Sequence, residues 1–130
     1  MKPKPSNENE ISYIVRSAIF KTYNFLGPGL LESAYHAVLK HELLKAGLAI
    51  RSEVRMPIIY DGVTLDVGYR LDLLVEEKVI IEIKSIEQIA PVHHKQVITY
   101  LKLSRLKLGL LVNFNTEDIA HSIFRKVNGL

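Results

Sequence analysis

The chain has 130 residues, 48% hydrophobic and 24% charged, the balance of an ordinary soluble globular protein with room for one core. It has no cysteine, so disulfides and thiolate zinc sites are excluded and a reducing, cytoplasmic setting is expected. Its net charge of +3 tolerates polyanion binding without demanding it, while the absence of a long apolar run or a hydrophobic signal core points to a soluble, unprocessed protein with no membrane partner.

Residues 1–6, polar with two prolines, are expected to form a loose tail before a single domain over residues 7–130. Asn7 and Glu10 have the spacing of a capping box. Ile11, Ile14, Val15, Ala18, Ile19, Thr22, Phe25 and Leu26 then recur at helical spacing, which predicts one amphipathic helix to about Phe25. Gly27, Pro28 and Gly29 break it. A second helix is predicted from about Leu31 to Ala46, with Gly47 as its C-cap.

Residues 49–60 are extended in character, and Pro57 confines them to an edge or irregular strand. Asp61 and Gly62 make a tight turn into a long strand, Val63 to Val75, which Gly68 bends. A further strand covers Val79 to Lys84. Pro91 suits the first turn of a third helix ending near Ser104. The run from Lys107 to Phe114 reads as a buried strand, and a last short strand is placed at Ser122 to Val127. The order describes an α/β sandwich with a mixed sheet flanked by helices, the Lys107 strand lying parallel to the Val79 strand after a helical crossover.

The chemistry is concentrated in YRLDLLVEEKVIIEIKS, Tyr69 to Ser85. Leu71, Leu73 and Val75 alternate along one strand and Val79, Ile81 and Ile83 along the next, so each has an apolar face. Asp72, Glu82 and Lys84 interrupt them, and unpaired charges inside a sheet are costly. If the loop is Glu76, Glu77 and Lys78, or a two-residue turn with a bulge, then Val75 faces Val79, Leu73 faces Ile81, Leu71 faces Ile83 and Asp72 faces Glu82. Two carboxylates that close repel unless a cation lies between them, and Mg²⁺ is typically held by one or two carboxylates. The plainer reading of Glu-x-Lys alone is a solvated strand face.

Gly29-Leu30-Leu31-Glu32-Ser33-Ala34-Tyr35 resembles the signature of the GxxExxY proteins, a family of the PD-(D/E)XK nuclease superfamily. The resemblance runs from about Phe25 to Asn113 and includes Gly68-Tyr69-Arg70 before Asp72, Glu82-Ile83-Lys84, Pro91-Val92-His93 and the closing LKLGLLVNF. It implies a restriction-endonuclease-like αβββαβ core. It further implies Asp72 and Glu82 as ligands of Mg²⁺ or Mn²⁺, Lys84 as the residue that orients water and steadies charge, and Glu32 as an added acid of the metal shell. Gln96 and Tyr100 are similar to the QxxxY of RecB-type nucleases, which borders the site, and with His93 and Tyr35 they stand as substrate contacts. Two departures appear: Leu71 replaces the proline before Asp72, and Glu77 stands at a hairpin tip where relatives often carry glycine, which predicts a looser turn.

Each auxiliary residue also has a bland role. Glu32 complements a helix dipole whatever its chemistry. Gln96 and Tyr100 could form a hydrogen-bonded core pair, and His93 lies where a helix N-terminus could receive a phosphate or could be a surface histidine. His94 is expected to face solvent, Glu53 is set aside, and Lys95, Lys102, Arg105 and Lys107 read as a solvated surface. Two functions follow: a metal-dependent nuclease acting on DNA or RNA, or a non-catalytic nucleic-acid-binding or protein-interaction module on the same fold. The small size of the chain makes a homodimer or a partner protein the expected source of further grip on a substrate.

Overall fold

The computed structural model describes Pro5 and residues 7–130, so the expected tail falls, Pro5 apart, outside the described residues. Helix α1, Glu8–Leu26, begins where the Asn7 side chain accepts the Glu10 amide at 2.9 Å, and it stops at Gly27, whose φ of 70° continues no helix. Helix α2, Glu32–Lys45, ends in a Schellman arrangement: the Leu48 amide reaches back to the Leu43 carbonyl and the Gly47 amide to that of Leu44. Gly47, at φ 88°, takes the left-handed position that the sequence reserves for it.

Five strands follow: β1 Ile50–Tyr60, β2 Val63–Val75, β3 Val79–Lys84, β4 Leu108–Asn113 and β5 Ile123–Val127, with α3, Pro91–Ser104, between β3 and β4. They form one mixed sheet in the order β1-β2-β3-β4-β5. β3 and β4 are parallel, from Val79↔Leu108 to Lys84↔Asn113, and every other pair is antiparallel. The fold is restriction-endonuclease-like, as expected. Pro57, which has no N–H to give a ladder, sits on edge strand β1 at a register shift between Met56 and Ile58. The shift needs Gly68 opposite it, where an added Cβ would lie 2.2 Å from the Met56 carbonyl oxygen.

The sheet has two unequal sides. On one, α1 and α2 bury Ile11, Val15, Ile19, Leu39 and Leu43 against Leu73, Val75, Val79, Ile81 and Ile83. On the other, a smaller cluster joins Val54, Leu71, Leu74, Ile80 and Leu101 under α3. Each fully buried Leu, Ile or Val contributes about 1.5–3 kcal/mol, so the α1/α2 side carries most of the stability. Helix α3 approaches β4 at Gly109, where a Cβ would lie 2.7 Å from the Val97 Cγ1.

The hairpin tip is tighter than expected. Glu76 and Glu77 adopt φ of 53° and 55°, and the Lys78 amide closes the turn on the Val75 carbonyl at 3.0 Å, a type I′ geometry. Glu77 is held by Arg51 at 3.1 Å, and the Glu76 amide bonds the Ala49 carbonyl at 2.8 Å, contacts that offset the cost of the left-handed backbone.

Candidate active site

β2 and β3 pair at Val75↔Val79, Leu74↔Ile80 and Leu73↔Ile81, the register read from the alternation. The ladder then stops. The next rung is made by side chains: the Ile83 amide donates to the Asp72 carboxylate at 2.8 Å, and the Asp72 amide donates to the Glu82 Oε1 at 3.3 Å. Each acid takes the place of a backbone carbonyl, so both carboxylates stand between the strands, where Asp72 and Glu82 meet.

The irregularity extends to β1, while β3 keeps an unbroken register with β4. On β1, Glu53 lies between the Ser52↔Leu73 and Val54↔Leu71 pairs, is exposed and turns to φ 51°. Leu71 does not pair with Ile83 as expected but packs with the cluster under α3, because the rung that would have set its side is broken. From the opposite side, the His36 imidazole Nε2 donates to the Asp72 carbonyl at 3.1 Å. α2 thereby fixes the backbone that carries the acid.

Glu82 is 3% exposed. Burial, then the charge of Asp72 and its hydrogen bond, push its pKa up to about 9, while the Lys84 ammonium works the other way. Lys84, two residues further on the same face of β3, is half-buried and faces the site rather than open solvent. The donor set suits a hard divalent ion: two carboxylates on adjoining strands, one of them buried, with its pKa raised by that burial and by the charge of the other. Among the described residues no group of three or more His, Asp and Glu is gathered for a metal, and Glu32 is exposed in the first turn of α2.

Tyr35, expected to touch substrate, is fully buried and stacked on Phe114, with ring centroids 4.4 Å apart. Its hydroxyl donates to the Gly27 carbonyl at 2.6 Å and accepts the Leu30 amide at 3.1 Å. It therefore shapes the loop before Glu32, and the Ser85 hydroxyl bonds the Leu30 carbonyl, tying that loop to the end of β3.

Tyr100 borders the carboxylates. It stacks on Tyr69 with centroids 4.5 Å apart, and burial, then Glu82 and Asp72, raise its pKa. Gln96, one turn earlier on α3, is exposed. His93 caps its own helix, its Nδ1 accepting the Ala90 amide at 2.9 Å, which puts the proton of the neutral ring on Nε2. His94, expected in solvent, is half-buried edge-on to Phe124 at 4.9 Å, and burial lowers its pKa. Lys95, Lys102, Arg105 and Lys107 are exposed, as read.

Sequence reasoning missed His36 and Asn113. Asn113, 6% exposed, accepts the Ile86 amide at 3.1 Å and donates to the Ile86 carbonyl at 2.9 Å, pinning the loop from β3 towards α3. Its signal was a polar residue closing the apolar run of β4; His36 had only its place one turn after Glu32.

The model of a family described as the PD-(D/E)XK nuclease superfamily matches residues 9–126. The chain belongs to the PD-(D/E)XK nuclease superfamily. No curated protein and no solved structure matches it. PD-(D/E)XK nucleases act on nucleic acid and generally use divalent metal ions. Asp72, Glu82 and Lys84 stand in the order of that motif on two adjoining strands, with leucine in place of its proline. No helix among the described residues is long and apolar enough to cross a membrane.

Proposed function

We propose that this chain is a metal-dependent nuclease of the GxxExxY type, hydrolysing phosphodiester bonds of DNA or RNA. One observation carries the reading: Asp72 and Glu82 replace a rung of the sheet with their carboxylates, and Lys84 shares their face. Asp72 and Glu82 would hold Mg²⁺ or Mn²⁺, with Glu32 added from α2. Such an ion supplies Lewis acidity and lowers the pKa of water at the site.

In the reaction, a water oxygen bonds to phosphorus and gives up a proton, the ester P–O bond breaks, and the leaving oxygen takes up a proton. The Lys84 ammonium donates hydrogen bonds to the phosphate oxygens as charge gathers on them. Burial of Glu82 strengthens every charge interaction there. Tyr100 and Gln96 orient the substrate from α3, with His93 presenting its Nε2–H at the start of the same helix.

The test compares cleavage of DNA and RNA in Mg²⁺ or Mn²⁺ by wild type, Asp72→Asn and Lys84→Ala. Loss of one such charge-stabilising group costs about 10²–10³ in rate, so both variants should be nearly silent. Equal activity in wild type and Asp72→Asn would end the nuclease reading. Mn²⁺ should also raise the melting temperature of wild type and not of Asp72→Asn; no rise in either favours an interaction module.

A further inference from the structure

β2 has 13 residues, yet only Leu73, Leu74 and Val75 pair with β3. Its other edge pairs with β1 as far as Tyr60↔Val63. Residues 55–70 therefore leave the sheet as a two-stranded arm, about 20 Å long by strand rise. Ribbons of this kind are marginal alone. Met56 and Tyr69 anchor the base of the arm on the cluster under α3, but Ile59, Tyr60 and Val63 beyond them are each more than half exposed.

The open strand edges are not alike. The outer edge of β1 is blunted by Pro57, which has no N–H, and by the irregularity at Glu53. β5 is five residues long and carries Arg125 and Lys126. The inner edge of β2 has neither protection over residues 63–70, which include no proline and no lysine. No other strand among the described residues pairs with it, and the loop after Lys84 turns away towards β4, where Ile86 bonds Asn113. That edge offers a row of backbone donors and acceptors.

Its charges fit a copy of itself. Arg70 faces Arg55 across the arm, and Asp66, four residues before Arg70 on β2, falls on the same side by alternation and lines the same groove. All three are exposed, and none has an ion pair or hydrogen bond among the described residues, whereas Arg51 on the same strand as Arg55 is paired with Glu77 at 3.1 Å. Two arginines in facing positions repel. An acid is wanted beside them, and β2 itself carries one.

We propose that the free edge of β2 seats a second copy of this chain, β2 pairing antiparallel with β2 of the partner subunit about a two-fold axis near residues 67–68. The two arms become one four-stranded ribbon. Such an axis sets Arg70 opposite or diagonal to Asp66 of the partner subunit, within reach of a long side chain, and two-fold symmetry makes the same contact a second time. The pairing satisfies the open edge, gives a marginal ribbon the further strands it needs, and offsets the repulsion between Arg55 and Arg70. It is independent of catalysis, so the loss of either reading leaves the other standing.

The experiment measures the mass of the full chain by sedimentation over a wide range of concentration, with deuterium uptake followed in the same samples. Wild type should pass from monomer to dimer, and uptake over residues 63–70 should slow as it does. Asp66→Arg sets like charges against each other twice, and should weaken the dimer by about ten-fold or more. Asp66→Arg combined with Arg70→Asp exchanges the two charges and should return the dimer to near wild-type strength, which separates lost pairing from a damaged fold. Lys102→Glu, a charge reversal on α3, should leave it unchanged. A chain that stays monomeric at its highest soluble concentration overturns the pairing. So does a dimer that Asp66→Arg leaves as tight as wild type, that the exchanged charges fail to restore, or whose residues 63–70 take up deuterium as fast as in the monomer.

Discussion

Towards α1 and α2, β3 presents Val79, Ile81 and Ile83; towards α3, the same six-residue strand presents Ile80, Glu82 and Lys84. The first set is closed in a deep apolar layer, and the second meets Asp72 and Tyr100 across a thin one. Because strand side chains alternate, stability and chemistry occupy neighbouring residues without sharing a side. The charged side is affordable only because the apolar side is thick.

The hardest blow to this division is Ile81→Ala. It should cost about 2–5 kcal/mol by removing a fully buried side chain from the large layer, read as a lower denaturation midpoint in urea. A loss under 1 kcal/mol would show that this layer is not the main support. Next is Gly109→Ala, whose methyl group meets Val97 and lifts α3 from β4. About 1–3 kcal/mol of destabilisation is expected. Because α3 carries Tyr100, weaker substrate binding should accompany it, and a variant as stable and active as wild type would refute the close approach.

A smaller effect sharpens the comparison through pH. The pKa of Glu82 is raised from 4.5 to about 9, so over that range the folded protein keeps a proton that the unfolded chain has released. The stability this group contributes is whole below about pH 4.5 and is lost as pH rises to about 9. Glu82→Gln, which cannot ionise, should flatten that fall, its melting temperature gaining several degrees on wild type between about pH 5 and pH 9 in chelator. Parallel curves would place the raised pKa elsewhere. The least effect is expected of Tyr100→Phe: weaker binding of nucleic acid by a few-fold with unchanged stability, since its ring still stacks on Tyr69.

The register of β2 on β3 was legible because a one-residue slip would turn Leu73, Val75, Val79 and Ile81 out of the core together. Gly47, Pro57 and Pro91 marked their places through backbone restrictions that hold in any fold. The break at Asp72 was not legible, because it depends on side chains taking over backbone bonds across the hairpin, and alternation carries no trace of that. Tyr35 misled for a related reason: a motif states which residue is present, while its burial depends on Phe114, just past the end of β4 and nearly eighty positions away. The half-buried His94 likewise owes its setting to Phe124 on β5.

The rung formed by side chains has one more consequence. The amides of Asp72 and Ile83 are shielded by carboxylates that a cation would recruit, not by fixed carbonyls. Their deuterium uptake should therefore quicken or slow with occupancy of the site while the amides of Leu74 and Ile80 stay silent, so two backbone hydrogens become a built-in gauge of what the acids are holding.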